Sequence, residues 1–426
     1  MNLNDVTDTE QPHLLGNDGK ASVEPASEQD IAEVLKYADE NNKTVSVISG
    51  GTKRGFGGAV KELDILLSLK KYRGIIEHVP GDMTVTVKAG TPIKELQDFL
   101  AEYNQMLPLD PSWPEEATIG GVISANSSGP KRLKYGSARD HVIGLRVVRS
   151  DGTIIRTGGK VVKNVAGYDM NKLFVGAMGT LGVLTEITLK LRPTAKFESV
   201  VILSFPEKDK NEVRSFSTAF LDTFLEPVSL EFLSPAVTDK LTGRPDYALA
   251  IAFEDVQSSV EYQLNWMKQN HPEEAEITVL EKDKAQDFWE RFSRIAPSGT
   301  DDPAESQQWA AVKIGSKSID VFDIVQELHS LNSSELQLLA HGGAGHGLSY
   351  AYIKAKEGVL DQTVEKIRLT AEKRGGYAVA RHLPLSLRNE KTVWGQKTSP
   401  IFLMDGLKKK MDPKRLINPK RFAGGI

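Results

Sequence analysis

The sequence predicts an α+β protein of two or three domains, and three observations carry that expectation. The chain has 426 residues, more than a single hydrophobic core organises. Up to Pro193 short apolar strands alternate with amphipathic helices. Beyond Pro193 the order strand, helix, strand, strand, helix, strand can be read twice, from Val200 to about Leu280 and from about Ala310 to Val379.

The elements follow from local chemistry. Residues 1–20 are polar, carry Gly16 and Gly19 and show no periodicity, so they are expected to be flexible. Ser27 with Asp30 three residues later forms a helix-start signature, and Ile31, Val34, Leu35 and Ala38 then recur at helical spacing. Thr44–Ser49 and Leu63–Leu69 read as apolar strands, and Thr84–Ala89 alternates as a half-buried strand does. Pro92 opens a second helix with Ile93, Leu96, Phe99, Leu100 and Tyr103 on one side. Val142–Arg149 and Thr153–Thr157 flank Asp151-Gly152, a hairpin turn. Val183–Leu191 is the last strand before Arg192-Pro193. The expected division is therefore 1–20, a first domain over 21–195, a second over 196–404 and a closing segment over 405–426, with a helical, aspartate-rich bridge at 282–306.

Composition narrows the function. The formal charge of -4 gives no global field for nucleic acid. The absence of cysteine excludes disulfides, thiolate nucleophiles and cysteine-ligated clusters within this chain. Met1 to Glu10 lacks the basic and apolar pattern of a secretory signal, and no apolar run is long enough to span a bilayer. A cytosolic protein is expected, or one attached to a membrane through a partner.

Three glycine-rich segments stand in the first domain. Ser49-Gly50-Gly51-Thr52-Lys53-Arg54-Gly55 directly follows a strand; it is either an anion-binding nest of backbone N–H groups or a flexible hairpin. It matches neither a Walker loop nor a dinucleotide fingerprint. The second runs from Thr118 through Gly120, Gly121, Ala125, Asn126, Ser128 and Gly129 to Tyr135 and Gly136. Its small side chains let a flat or charged ligand lie on the backbone, or let a strand and helix pack closely. The third, with Gly179, Gly182 and Val183, leads into a strand and turns backbone donors and acceptors toward any ligand beside it.

In this order the three loops resemble the FAD-binding domain of the vanillyl-alcohol-oxidase, or p-cresol-methylhydroxylase, superfamily. The resemblance covers residues 20 to 195. Within it, Lys131 to Asp140 and Gly158 to Asp169 are most similar to the FAD-binding subunit of glycolate oxidases. It implies a two-subdomain FAD-binding domain and an α+β cap of ferredoxin-like βαββαβ units. The first loop would wrap the pyrophosphate, the second would run beneath it and the flavin, and the third would follow the ring and ribityl chain. FAD would be held without a covalent tether, because Thr52 stands where tethering relatives place a histidine. Lys160, Lys163 and Arg139 would face a diphosphate or a partner, or form a solvated basic surface; Asn164 and Tyr168 would line the flavin edge or satisfy their own loop.

The same resemblance implies hydride transfer from a small 2-hydroxy acid, glycolate or D-lactate, to flavin N5. A base and a carboxylate-binding cation are then needed, and Arg381-His382 are the candidates. His341-Gly342-Gly343-Ala344-Gly345-His346-Gly347-Leu348 is similar to a His-x-Gly-Asp-Gly-Asn-x-His motif of related dehydrogenases, but Ala344, His346 and Leu348 replace its Asp, Asn and final His. No metal site is expected there. The segment Met411 to Phe422 resembles the family's closing strand, with Asn418 facing the flavin. Expected partners are a second flavin subunit and an iron–sulfur subunit that takes the electrons. The alternative is a flavin-bearing accessory subunit that does not turn over substrate. A stand-alone oxidase and a ligand-free scaffold are weaker alternatives.

Overall fold

The computed structural model describes residues 6–8, 13–159, 168–207, 211–300, 308–395 and 400–426. The first sheet joins β1 (Val6–Asp8), β2 (Gly19–Val23), β3 (Val45–Ile48) and β4 (Leu63–Ser68) in the order β1-β2-β4-β3. Its central pairs β2–β4 and β3–β4 are parallel, and the crossover helix Glu28–Glu40 carries the chain from β2 to β3, on the far side of β4. That helix starts as its sequence dictates. Ser27 Oγ accepts from Asp30 N and Asp30 Oδ2 accepts from Ser27 N, both at 3.1 Å, and Ile31, Val34, Leu35 and Ala38 are buried.

The chain then supplies β5 (Ile75–Val79), β6 (Thr84–Lys88), the short β7 (Gln105–Met106), β8 (Val142–Val148), β9 (Ile154–Gly158), β10 (Val183–Lys190) and the short β11 (Arg192–Pro193). Five of these form an antiparallel sheet, β5-β6-β10-β8-β9, while β7 pairs with β11. The helices Ile93–Ala101 and Ile119–Ala125 accompany it, and one hydrophobic cluster runs from Val23 to Leu191 through both sheets. Pro92 proves to be the cap rather than the first helical residue, and Tyr103 lies past the helix end, half-exposed.

The remaining strands are β12 (Phe197–Phe205), β13 (Ser229–Leu233), β14 (Tyr247–Asp255), β15 (Glu276–Glu281), β16 (Gln308–Gly315), β17 (Leu336–Gly343), β18 (Leu348–Ala355) and β19 (Tyr377–His382). They make one eight-stranded sheet in the order β15-β12-β14-β13-β17-β18-β16-β19. Each half is a βαββαβ unit; the first carries an added helix, Pro235–Thr242, between β13 and β14. The halves meet where β13 pairs antiparallel with β17, placing Leu233 opposite His341. Long helices cover one face over a large apolar core. The other face, with Val200, Leu233 and Tyr352, packs Tyr135 of the second glycine segment and the helix Asp283–Ser293.

Two terminal segments depart from expectation. Residues 13–20 are packed, not loose: Asn17 and Asp18 are buried, Asn17 Oδ1 accepts from Val60 N at 2.9 Å, and Asp18 pairs with Arg54. At the other end the expected junction at 405 lies inside a helix, Ile401–Met411, that leads into the closing segment. The chain then returns beside β3, where Val45 N donates to Leu416 O at 2.8 Å and Asn418 N donates to Val45 O at 2.9 Å.

Candidate functional site: a glycine-lined cleft and an adjoining chamber

The three glycine segments converge on one cleft of about 990 Å³, between the first two sheets. Ser49, Gly50, Gly51, Thr52 and Lys53 line it from the first loop, and Thr118, Gly120, Gly121 and Ala125 from the second. Gly179, Gly182 and Val183 contribute from the third, and Asn418 from the closing segment. Asn418 joins two walls: its Oδ1 accepts from Val47 N at 2.8 Å and its Nδ2 donates to Met178 O at 3.0 Å.

The glycines have distinct reasons to be glycine. A Cβ on Gly50 would stand 1.7 Å from Glu116 O, so the first and second loops touch through the missing side chain. Gly51, with φ +78°, and Gly179, with φ +66°, sit in the left-handed region. Gly121 is different: a Cβ there meets only Thr118 Oγ1, at 3.2 Å, so a larger side chain would grow into the cleft. Among the described residues, the backbone N–H groups of Gly50, Gly51, Thr52 and Lys53 find no acceptor, and Ser49 Oγ is buried without a partner. Four N–H groups without acceptors on a glycine loop that lines the cleft are the kind of donors an anion such as a pyrophosphate requires. Backbone donors, an orphaned hydroxyl and a wall that only glycine leaves open together fit FAD.

Not every expected residue reaches the cleft. Gly55 packs under His382; a Cβ there would lie 2.6 Å from His382 Nδ1. Asn126, in a left-handed cap conformation, and Ser128 face an adjoining chamber, and Gly129 lies against Asp110 O. Tyr135 Oη donates to Glu254 Oε2 at 2.9 Å, in the contact with the eight-stranded sheet, and Gly136 serves the capping box of Ser137 and Asp140. These six were expected from sequence to touch the cofactor, Gly55 as part of the first loop and the other five as the continuation of the second. The chain instead turns away at Asn126, and the later residues fasten one domain to the other. Tyr168 is 93% exposed and Arg139 is exposed; Lys160, Lys163 and Asn164 lie outside the described residues.

The adjoining chamber, about 550 Å³, shares Lys53, Pro111, Ser112 and Ser127 with the cleft. From the eight-stranded sheet it receives Lys313 of β16, Tyr350 and Tyr352 of β18, and Arg381 and His382 of β19. Adjacent strand residues normally face opposite sides. Here Ala311 pairs with His382 while Val312 pairs with Ala380, so Arg381 is the extra residue of a bulge, and both neighbours line the chamber. Arg381 Nη2 reaches Ser127 Oγ at 3.2 Å, and its guanidinium lies 4.2 Å from the centre of the Phe56 ring.

The chamber is cationic and poorly solvated. Burial, reinforced by the nearby Arg381, lowers the Lys53 ammonium to about 8 and Lys313 likewise to about 8. Among the described residues, Lys53, Lys313 and Arg381 have no carboxylate partner, so an anion entering here meets unpaired charges. His382 does not suit the base role expected of it. Burial and then the charges of Lys53 and Arg388 push its pKa to about 3, and its ring is wedged against Gly55.

Sequence reading missed Lys313, Tyr350 and Tyr352. The spacing of Tyr350 and Tyr352 put both on one face of a strand, but nothing local marked that face as the one over the cleft. His341, found by motif, is buried and bonds Glu231 and Tyr352 instead of opening directly on the chamber.

Comparison with known proteins agrees with this geometry. Residues 20–158 match the FAD binding domain family. The chain is 27% identical over 420 residues to glycolate oxidase subunit GlcD of Bacillus subtilis, covering 95% of this chain and 89% of that one. It is 41% identical over 154 residues to glycolate oxidase subunit GlcE of Escherichia coli, covering 36% of this chain and 44% of that one. The fold superposes on p-cresol methylhydroxylase with a TM-score of 0.73 at 17% identity, covering 98% of this chain and 93% of that one. Residues 20–158 are thus an FAD binding domain, FAD is the cofactor, and the chain is an FAD-dependent oxidoreductase of the p-cresol-methylhydroxylase fold type.

Proposed function

We propose that this protein oxidises a small 2-hydroxy acid, such as glycolate or D-lactate, within a complex that takes up the electrons. In this reading residues 21–195 hold the cofactor, residues 196–404 cap it and residues 405–426 close the cleft. The supporting observation is the chamber beside the flavin cleft, where Arg381, Lys53 and Lys313 gather positive charge in a buried space. A carboxylate is the small anion such a site would hold, and Arg381 can grip it with two parallel hydrogen bonds. Bound FAD supplies the hydride acceptor. The residues of this chain bind the carboxylate, aim the hydroxyl carbon at the cleft and keep water out. Similarity to two glycolate oxidase subunits and to a D-lactate dehydrogenase of Archaeoglobus fulgidus supports this substrate class.

Onward transfer through an iron–sulfur cluster would take place on another chain, since this one has no cysteine to ligate it. A second flavin subunit and an iron–sulfur subunit are the proposed partners. No described helix is long and apolar enough to cross a membrane, and the proposed route of any membrane association is such a partner. A second reading, an accessory flavin subunit, is favoured by the Ala344, His346 and Leu348 replacements.

The test is the visible spectrum of the purified chain during anaerobic addition of glycolate or D-lactate. Bleaching of the flavin by either acid is expected. Bleaching only after a partner is added would favour the accessory reading, and no bleaching in the assembled complex would overturn the substrate class.

A further inference from the structure

With His382 made only weakly basic by burial and wedged against Gly55, the chamber needs a better acceptor for the hydroxyl proton. A buried chain of polar groups ends at its wall. Glu231 of β13 and His341 of β17 meet at the seam between the two halves of the large sheet. His341 Nδ1 lies 2.9 Å from Glu231 Oε2, and His341 Nε2 lies 3.1 Å from Tyr352 Oη. Tyr352 also lines the chamber that holds Arg381.

We propose that Tyr352, backed by His341 and Glu231, accepts the substrate's hydroxyl proton. The inference rests on the 2-hydroxy acid reading and names the acid–base residue within it. Burial opposes ionisation of Glu231, but the imidazoles of His341 and His346 outweigh it and hold the carboxyl below its ordinary range. The carboxylate can only accept, so Nδ1 of His341 carries a proton, and in the relay Nε2 is the nitrogen that accepts from the Tyr352 hydroxyl. The ring cannot easily turn. Tyr350 stacks on it at 5.2 Å between centroids, and Phe292 meets it edge-on at 4.9 Å.

The free lone pair of Tyr352 Oη then takes the substrate proton as its own proton passes to His341 Nε2. The substrate C–H bond breaks and its electron pair leaves as hydride to the flavin, the O–H bond breaks heterolytically, and the C=O bond forms. Free tyrosinate, which burial disfavours, is never required. His341 becomes imidazolium beside an ionised Glu231, where its charge is neutralised. Tyr352 is therefore the catalytic residue; His341 and Glu231 position it and receive the proton. The other charged and titratable groups facing this chain are His346, whose Nε2 is 3.6 Å from Glu231 Oε1, Tyr350, Arg381 and, at longer range, Arg132 and Asp110.

Two measurements on the FAD-loaded protein test the relay. In anaerobic reduction by glycolate or D-lactate, Tyr352→Phe should slow flavin reduction about 10²- to 10⁴-fold, the usual range for loss of a general base. Flavin content and the affinity for oxalate, read from the flavin band, should stay near wild type. His341→Gln should slow reduction at least about tenfold by the same argument and serves if Tyr352→Phe loads FAD poorly. The second measurement needs no turnover: ¹⁵N spectra of histidine-labelled protein should show His341 protonated at Nδ1. Tyr352→Phe should move the Nε2 resonance, and Glu231→Gln should mix the tautomers.

Wild-type rates in Tyr352→Phe, or a His341 signal indifferent to both substitutions, would overturn the relay; loss of reduction in Lys313→Met alone would assign the base to Lys313 instead. If neither acid reduces the wild-type flavin even in the complex, the substrate reading falls and the relay falls with it. That outcome is distinct from wild-type reduction that survives Tyr352→Phe.

Discussion

The cleft and the chamber share four residues, yet they are built from different materials. The cleft is mostly backbone, with glycines where a side chain would strike another loop or fill the space. The chamber is mostly side chain, with Lys53, Lys313, Tyr350, Tyr352, Arg381 and His382 arriving from four separate segments. Backbone recognition suits a long, polyanionic cofactor that must be held along its length. Side-chain recognition suits a small acid, for which a few charges at fixed positions decide orientation. A substitution in the cleft should therefore change loading, and one in the chamber should change chemistry.

The largest expected effect breaks the cleft. Gly50→Val drives a side chain into Glu116 O, so FAD content, measured as the ratio of flavin to protein absorbance, should fall to near zero. Gly121→Val should also lower FAD content while leaving the thermal transition of the FAD-free protein in place, because its side chain enters only the cleft. Full occupancy in both would separate these loops from cofactor binding.

Next is the clasp that closes the cleft from behind. Lys408 is wholly buried and donates to Thr180 O, Asp412 Oδ2 and Ile417 O at 2.7 to 2.9 Å. Lys408→Met leaves the buried Asp412 carboxylate without its cation, held only by Leu416 N and Ile417 N, which costs about 3–5 kcal/mol. Denaturant titration should show that loss, with weaker FAD retention because Asn418 is then held less firmly. An unchanged midpoint would mean that the closing segment does not support the cleft.

Arg381→Ala probes the chamber. Losing one charge-assisted contact, about 1.5–3 kcal/mol, should weaken oxalate binding roughly 10- to 100-fold. FAD content should change little, so a parallel fall in both would erase the distinction between the two regions.

The smallest effect is a pH dependence. His382 in the folded protein has its pKa depressed to about 3, whereas in the unfolded chain it titrates near 6.5. Stability from this group is complete above about pH 6.5 and is lost as pH falls toward the folded value, by about 1.4 kcal/mol per unit at most. His382→Gln should remove that part of the acid slope between pH 6 and pH 4 in denaturation experiments. A slope unchanged by the substitution would show that the imidazole is not desolvated.

Much of the cofactor site was legible from local chemistry. Loop glycines following or preceding strands announced the cleft because backbone conformation and close approach are local requirements. After Asn126 the run leaves the cleft although its composition continues: Gly129 packs on Asp110, Gly136 on Asp140, and Tyr135 serves the domain contact. The chamber was legible only in fragments. Arg381 and His382 were found together, but alternation would have placed one of them on the far face, and only the bulge in the β19 pairing with β16 turns both inward.

The sequence by itself determined the strands, the capped helix at Ser27 and the glycine loops, because each depends on residues within a few positions of one another. The tertiary structure alone decided which residues face the cofactor. Glu231 and His341 are 110 positions apart and meet because β13 pairs with β17, and Asn418 reaches the cleft because Lys408 and Asp412 fold the chain end back beside β3. Burial, charge and hydrogen bonding at such meetings arise from long-range pairing, which no local pattern encodes.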